Sequence, residues 1–163
     1  MALFACTPAH PQPRFLPARG SVSDFANVKD PDTPKHLTVM AQELDQKTHS
    51  QIAVVTVESL GRLPIEHYAL GLFNEWAIGH NDDKLGLLIL PATSDHQWRI
   101  KTRRELEVLL PNARVGRIGD KMRPDLQRRD YSIAVLKTAG EIATIVAEDR
   151  NVTLAAVGLR SEP

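Results

Sequence analysis

The chain has 163 residues, with Lys plus Arg and Asp plus Glu at 20 each and a formal net charge of zero at pH 7. This length fits one domain that buries a core without disulfides or a structural metal. Because the charges balance, no overall field draws the chain to nucleic acid or anionic lipid, so any binding site must be local. No apolar run approaches the roughly 18 residues that span a bilayer, and the single cysteine, Cys6, excludes an intramolecular disulfide.

The two ends of the chain differ in composition from the middle. Residues 1–20 are rich in proline, and we expect a flexible, extended arm. Residues 3–6 (LFAC) look like the end of a lipoprotein signal, with a chance cysteine in a disordered arm as the favoured alternative. A folded domain is expected over residues 21–150. The tail, 151–163, lacks helical periodicity, and its apolar residues suit an edge strand or a loose extension.

The first predicted elements are a helix and a buried strand. Thr33 can cap a helix, Pro34 suits its first turn, and apolar residues then recur at helical spacing as far as about His49. Residues 52–57 (IAVVTV) are a run rich in β-branched residues with no polar residue until Thr56, which is typical of a parallel strand covered on both faces. A helix followed by such a strand favours an α/β fold.

A second helix and two further strands follow. Pro64 opens a helix that Gly79 ends, and its aromatic stripe is interpreted as core rather than as a ligand-binding box. Residues 87–90 (LLIL) predict another buried strand. Residues 97–102 (QWRIKT) alternate as a half-exposed strand does, so the turn around Asp95 predicts a hairpin. The aromatic stripe consists of Tyr68, Phe73 and Trp76.

The last part of the domain is predicted to be helical. We expect a short helical stretch near 106–110, a helix over 112–127 broken by Pro124, and a long helix over 130–149. Helices that alternate with short buried strands predict helical layers on both faces of a small sheet.

Short patterns occur along this chain in a fixed order. Residues 22–26 (VSDFA) match an opening Val-x-Asp-x-Ala signature, and residues 51–57 (QIAVVTV) follow as an apolar strand. Residues 65–79 and 86–90 add a Trp-Ala-Ile-Gly helix end and a Gly-Leu-Leu-Ile-Leu strand. The series continues with Arg99-Ile100, Leu106-Glu107, Leu110-Pro111, Pro124 and Asp130-Tyr131. Over roughly residues 20–150, the chain resembles the TPM domain family of thylakoid-lumen proteins and bacterial exported proteins.

This resemblance implies a three-layer α/β/α sandwich, with a small, mostly parallel central sheet of about four strands flanked by helices. In some relatives it also implies divalent-metal binding, usually of calcium, and acid phosphatase activity. We therefore expect an exported accessory protein, periplasmic or membrane-anchored, that is non-catalytic or weakly catalytic. It would bind a protein partner, in a membrane-associated complex, or an ion at the loop end of the sheet. The alternative is a divalent-metal-assisted acid phosphatase that hydrolyses phosphomonoesters.

Four residues are candidate calcium ligands, because calcium takes several oxygen ligands that converge at loop ends. They are Asp24, Asp83, Glu107 and Asn112. If the loop tips gather the three carboxylates, an ion pocket results. Each has a plain alternative: Asp24 as a cap of the first turn of structure, Asn112 as a cap of the following helix, Asp83 as a solvated loop charge, and Glu107 as the partner of Arg103 or Arg104.

The chain departs from the family pattern near these residues. Lys84 stands where relatives often carry Asp, and Arg103 and Glu105 replace both glycines of a Gly-x-Gly-Leu-Glu motif. Asn112 stands where relatives often have Asp after Leu-Pro. Because a cation repels a metal, we hypothesise that Lys84 occupies the site in place of calcium. Micromolar calcium binding, measured by calorimetry on the chelator-treated protein, would refute this hypothesis.

Basic residues are the candidates for a phosphate site, since phosphatase chemistry needs cations around the phosphoryl oxygens. The alternative is a solvated basic face balanced by acidic neighbours. The histidines lack metal-ligand spacing, and Trp98 marks either an interaction surface or a residue buried beneath a helix. The basic residues are Arg99, Lys101, Arg103, Arg104, Arg114, Arg117, Lys121 and Arg123, and the acidic neighbours are Glu105, Glu107 and Asp120.

Overall fold

The computed structural model describes residues 15–27, 30–79 and 85–158. A four-stranded sheet forms the middle layer, in the order β1-β2-β3-β4. The first three strands are mutually parallel, and β4 returns antiparallel to β3 as the predicted hairpin. The prediction of a small, mostly parallel sheet is therefore confirmed. The strands are β1 (Val22–Asp24), β2 (Ser50–Thr56), β3 (Leu85–Ala92) and β4 (Gln97–Thr102).

Helices cover this sheet, close to where the sequence predicts them. Pro124 lies in the first turn of α4 and separates that helix from α3, so the predicted break is confirmed. The expected helical stretch near 106–110 is a 3-10 turn at Arg104–Leu106. The helices are α1 (Asp32–Thr48), α2 (Ile65–Glu75), α3 (Asn112–Asp120), α4 (Arg123–Gln127), α5 (Tyr131–Asp149) and α6 (Ala155–Gly158).

Two apolar cores lie on the two faces of the sheet. Alternate residues of β2 point to opposite faces, so Ile52 and Val54 join the core with α1 and α5. Ala53 and Val55 join the core with α2. Because residues 52–55 are buried on both faces of the sheet, this part of the strand is continuously apolar. The three-layer α/β/α sandwich is thereby confirmed.

The two crossover connections have opposite hands. Both step in the same direction across the sheet, from β1 to β2 and from β2 to β3. However, α1 packs on one face and α2 on the other. One of the crossovers therefore departs from the usual right-handed rule. As a consequence, the connections that follow β1 and β2 leave the sheet towards opposite faces.

The C-terminal segment packs on α1 instead of adding an edge strand. Glu43 accepts hydrogen bonds from the backbone N–H groups of Ala155 (2.9 Å) and Ala156 (2.8 Å). Lys47 donates to Glu43 and to the carbonyl of Thr153, each at 2.7 Å. Lys47 first, and then the two backbone donors, lower the pKa of Glu43 to about 2. The tail was expected to form an edge strand or a loose extension; the edge strands of the sheet are β1 and β4, and the tail carries the short α6.

An aromatic cluster on α2 anchors the residues before β1. Phe73 is buried, as the core interpretation predicts, whereas Tyr68 and Trp76 are partly exposed and pack against that core. Phe15 meets Tyr68 edge to face at 5.0 Å, and burial raises the pKa of the Tyr68 phenol. Trp76 donates to the carbonyl of Leu16 at 3.1 Å. Phe15 and Leu16 thus contact the domain, although they belong to the stretch expected to be a flexible arm, whose residues 1–14 lie outside the described ranges.

Two glycines permit close packing that a side chain would block. A Cβ on Gly86, in β3, would lie 2.6 Å from the carbonyl oxygen of Ile78 and 2.9 Å from the Cα of Gly79. A Cβ on Gly119, in α3, would lie 2.0 Å from the ring of Trp98. Trp98 therefore packs beneath a helix, and it is partly buried against the core on that face.

Candidate functional site

The divergent connections after β1 and β2 locate a candidate site. In open α/β sheets, ligands bind outside the carboxyl ends of strands, where neighbouring connections leave to opposite faces. Here those strands end at Asp24 and Thr56, which are partners in the register. We call this the carboxyl edge of the sheet. The opposite side, where β2 and β3 begin and β4 ends, is the amino edge.

Asp24 lies at the carboxyl edge, and its side chain has a partner there. The hydroxyl of Thr56 donates a hydrogen bond to the Asp24 carboxylate. The backbone N–H of Phe25 donates to the carbonyl of Thr56 at 2.8 Å, which continues the strand pairing past Asp24. Asp24 therefore joins β1 to β2 and does not cap a helix.

The start of α1 closes over Asp24. Thr33 was expected to cap this helix, but it lies inside the first turn, because the helix begins at Asp32. Pro31 is the residue that directly precedes the helix, and Asp30, one residue earlier, accepts hydrogen bonds from the backbone N–H of Asp32 (3.1 Å) and from the Thr33 hydroxyl. A carboxylate at this position is favoured by the positive end of the helix dipole.

A small cavity of about 20 Å³ separates Asp24 from the helices, which is room for about one water molecule. The polar residues around it are Asp24, Asp30, Thr33, Thr56 and Ser132, although the surface that faces the cavity is almost entirely apolar. Calcium needs six to eight oxygen ligands, most of them carboxylates, carbonyls or waters. The first turns of α1 and α5 also line this cavity, and their positive dipole ends oppose a cation. These residues do not fit calcium.

The other predicted ligands do not join Asp24. Because β4 runs antiparallel to β3, residues that follow β4 emerge at the amino edge. Glu107 follows the 3-10 turn there, is exposed and forms no ion pair within the described ranges. Asn112 is the first residue of α3, which has no side-chain cap. Asp83 and Lys84 lie outside the described residues.

A calcium pocket that combines Asp24 with Glu107 is therefore not formed. In the parts of the chain that the structure describes, no group of three or more His, Cys, Asp and Glu side chains could hold a metal ion. Calcium binding stays a prediction for direct measurement.

Several of the basic residues considered for phosphate already have protein partners. Arg103 donates to the carbonyl of Gly79 (2.8 Å), and Arg114 donates to the carbonyl of Leu109 (3.2 Å). Lys121 pairs with Glu141 at 2.7 Å, and Arg123 pairs with Asp120 at 2.9 Å. This surface is the expected balanced basic face in part, since Asp120 is one of the predicted acidic neighbours.

The carboxyl edge also carries an open cleft of about 660 Å³, within the size range of small-molecule sites. We call it the carboxyl-edge cleft. Its lining combines one guanidinium, one imidazole, one amide and three hydroxyl groups, and it includes no carboxylate. Sequence reasoning did not single out this combination. The lining residues are Ala26, Asn27, Thr93, Ser94, His96, Arg129 and Tyr131.

Three residues of the cleft adopt left-handed backbone conformations. Asn27, His96 and Arg129 have φ values of 54°, 52° and 63°, and they are three of the six non-glycine residues with positive φ in the described ranges. This conformation is uncommon for residues other than glycine, and for arginine it has a steric cost. Such outliers concentrate at functional sites. The sequence signal available was the short polar residues that directly follow the apolar strands.

Backbone hydrogen bonds hold the loops of the cleft in place. The N–H of Thr93 donates to the carbonyl of Val57 (2.9 Å), and the N–H of Ser94 donates to that of Glu58 (2.8 Å). Tyr131, the first residue of α5, donates its hydroxyl to the carbonyl of Thr93 at 3.4 Å. The loop after β3 is therefore tied both to the loop after β2 and to a helix N-terminus.

The sequence matches the profile of the TPM domain over residues 22–145. This chain belongs to the TPM domain family. The match spans β1 to most of α5, so the sheet, both crossovers and the carboxyl-edge cleft all lie within the TPM domain. No curated protein matches the chain at a significant level.

Solved structures share the fold of this TPM domain. The N-terminal domain of a protein from P. gingivalis superposes with a TM-score of 0.73 at 21% identity, covering 81% of this chain and 85% of that one. The N-terminal domain of cg2496 from Corynebacterium glutamicum has a TM-score of 0.62 at 12% identity, covering 95% of this chain and 92% of that one. The BA42 protein from Bizionia argentinensis has a TM-score of 0.63 at 11% identity, covering 82% of this chain and 97% of that one. At these identities the likeness concerns the fold alone.

Among the helices of the described residues, none has both the length and the apolar character that crossing a membrane requires.

Proposed function

We propose that this chain is a non-catalytic TPM accessory domain that binds an ion or a group of a protein partner at the carboxyl edge of its sheet. One observation carries the proposal. The connections after β1 and β2 leave to opposite faces, and at the same end of the sheet an open cleft is lined by residues that follow β1 and β3 and by the start of α5. This is the position at which α/β folds bind their ligands.

The lining of the cleft supports binding to a prearranged surface. Its loops are held by backbone hydrogen bonds, and its exposed side chains supply donors of several kinds. A binding surface that is ordered before the ligand arrives loses less conformational entropy on association. The amino edge is built differently, because there Gln51 and Arg103 are engaged with the backbone of Gly79.

The phosphatase alternative requires an activated nucleophile or a metal-bound water beside cations. Within the described ranges no cluster of metal-binding side chains exists, and the Asp24 carboxylate is hydrogen-bonded to Thr56. No observation there favours hydrolysis, so we propose binding alone.

The binding proposal is tested by amide NMR titration of the intact chain. Sodium phosphate, sodium acetate, calcium chloride and magnesium chloride are added separately at constant ionic strength. Saturable shifts that cluster at 24–27, 56–58, 93–97 and 129–132 would support the proposal. Saturable shifts that cluster at the amino edge, or none with any probe, would overturn it.

The non-catalytic part is tested by phosphomonoester turnover at acidic pH with calcium, magnesium or manganese. We expect the wild type and Asp24→Ala to show the same background rate. Turnover that the wild type has and Asp24→Ala loses would establish an enzyme instead.

A further inference from the structure

We infer that the carboxyl-edge cleft binds one oxyanion group, either a carboxylate or a phosphate, through the guanidinium of Arg129 together with the side chains of His96 and Ser94. The inference rests on the proposed function, because it names the ligand chemistry of that site. It differs from the calcium prediction in the sign of the charge bound.

Arg129 is the cation available at this site. Its side chain is exposed and has no ion pair or hydrogen bond to the described residues, although it lies between two charged neighbours. The adjacent Arg128, in contrast, pairs with the buried Asp125 and with Asp130. A guanidinium presents a planar fork of donors that matches the two oxygens of a carboxylate or phosphate.

Nearby carboxylates are turned to other partners. Asp24 accepts from the Thr56 hydroxyl, and Asp95 accepts from the backbone N–H of Leu60 at 2.7 Å. Asp130 lies 3.7 Å from the Nε of Arg128. None of the three lines the cleft. An entering anion therefore meets donors first.

A helix N-terminus at the cleft also favours a negatively charged ligand. The helix α5 has 19 residues, begins at Tyr131 and has no side-chain cap, and Tyr131 lines the cleft. The first backbone N–H groups of a helix lack intrahelical acceptors, and the dipole at this end is positive. This arrangement favours an anion and disfavours a metal ion.

The backbone of the cleft is held in a form that presents these donors. His96 and Arg129 both have left-handed φ values, which residues other than Gly, Asn and Asp seldom adopt. The turn with His96 is fixed by the hairpin and by Ser94, whereas the turn with Arg129 is fixed by hydrogen bonds to α4. The donors are therefore positioned before a ligand binds, which lowers the entropic cost of binding.

The experiment is a titration of the intact chain with sodium phosphate and with sodium acetate, followed by amide shifts, with sodium chloride at equal ionic strength as the reference. We expect saturable shifts at 26–27, 93–96 and 129–131 that chloride does not produce. Arg129→Gln should weaken binding about tenfold or more, because one charge-assisted hydrogen-bond pair is lost. Arg104→Gln removes the same charge at the amino edge and should leave the affinity within about twofold.

Two further variants guard against misfolding at position 129. His96→Asn keeps a residue that tolerates left-handed φ, and Ser94→Ala removes a single hydroxyl. Each should weaken binding with an unchanged amide spectrum elsewhere. Saturation by acetate identifies a carboxylate ligand, and saturation by phosphate alone identifies a phosphate ligand.

The inference would be overturned if Arg129→Gln and Arg104→Gln lost anion affinity equally. It would also be overturned if chloride reproduced the amide shifts at the cleft. Calcium shifts at the carboxyl edge without any anion response would overturn the inference and leave the proposed function standing. Anion shifts confined to the amino edge would overturn both.

Discussion

The two edges of the sheet are built for different purposes. At the amino edge, the backbone of Gly79 accepts from Arg103 and donates to Gln51, each at 2.8 Å, and Gly86 packs against Ile78 without a side chain between them. At the carboxyl edge, loops are held by backbone hydrogen bonds while Arg129 and His96 stay exposed. The comparison teaches that, among the described residues, Gln51 and Arg103 at the amino edge support the fold, whereas Arg129 and His96 at the carboxyl edge stay exposed to solvent.

The largest expected effect comes from Gly86→Ala, which attacks the close packing of the amino edge. The new Cβ would lie 2.6 Å from a backbone oxygen, and backbone cannot move aside cheaply. We expect the free energy of unfolding to fall by about 3 kcal/mol, at the upper end for overpacking. Urea denaturation measures this loss. Gly140→Ala, in open space within α5, is the control and should stabilise the protein by roughly 0.5–1 kcal/mol. Equal stability of the wild type and Gly86→Ala would refute the close approach.

Asp125→Ala should have the next largest effect, because this carboxylate supports the turn that carries Arg129. Asp125 is only 4% exposed and pairs with Arg128 and with Lys137. We expect a loss of about 2 kcal/mol in unfolding free energy, since charged hydrogen bonds are removed and their partners return to water. Hydrogen exchange of amides 128–130 should also accelerate.

Asp120→Ala provides the matched control for that result. Both side chains of its ion pair with Arg123 are exposed, and exposed ion pairs contribute less than about 1 kcal/mol to the free energy of unfolding. If Asp120→Ala cost as much as Asp125→Ala, burial of the Asp125 carboxylate would not be the reason for its effect.

Arg129→Gly tests whether the carboxyl edge gives up stability for binding. Glycine adopts a φ of 63° without steric cost, so we expect a gain of up to about 1 kcal/mol in unfolding free energy, with loss of oxyanion binding. Thermal melts and the phosphate and acetate titrations measure the two effects. Arg104→Gly, in the 3-10 turn, should lower stability instead. A destabilised Arg129→Gly would mean that its side chain supports the fold.

The smallest expected effect concerns acid pH and the C-terminal segment. The pKa of Glu43 is lowered from 4.5 to about 2, so its contribution to stability is complete above pH 4.5 and disappears as the pH falls to about 2. Glu43→Gln should therefore be less stable than the wild type at pH 7, with the difference shrinking over that window. Parallel urea titrations at several pH values measure it, with the exposed Glu75→Gln as control. A difference that does not change with pH would contradict the assignment.

The sequence predicts the central layer well, because a strand buried on both faces must be apolar throughout. That rule locates β2 and β3, and helical periodicity locates α1, α2 and α5. The sequence predicts no strand at Val22–Asp24, since three residues of which two are polar show no continuous apolar run. The tail was ambiguous for a related reason: its packing depends on Glu43, a residue far away in sequence.

The candidate site is less predictable than the fold. The predicted hairpin already implied that residues after β4 return to the amino edge, which places Glu107 there. Asp24 could not be placed at the opposite edge, because the sequence predicts no strand at Val22–Asp24. The carboxyl-edge cleft could not be predicted from the sequence, because it depends on left-handed backbone at Asn27, His96 and Arg129. Sequence preference does not specify this conformation for histidine or arginine.

The most direct measurement of the central claim is the NMR signal of the Arg129 side-chain Nε–H, assigned with Arg129→Gln, during titration with phosphate and acetate. The account predicts that this signal shifts and saturates together with the amides of Ser94 and His96, while the side-chain signals of Arg103 and Arg104 stay in place. An Arg129 signal that remains fixed while another arginine responds would contradict it.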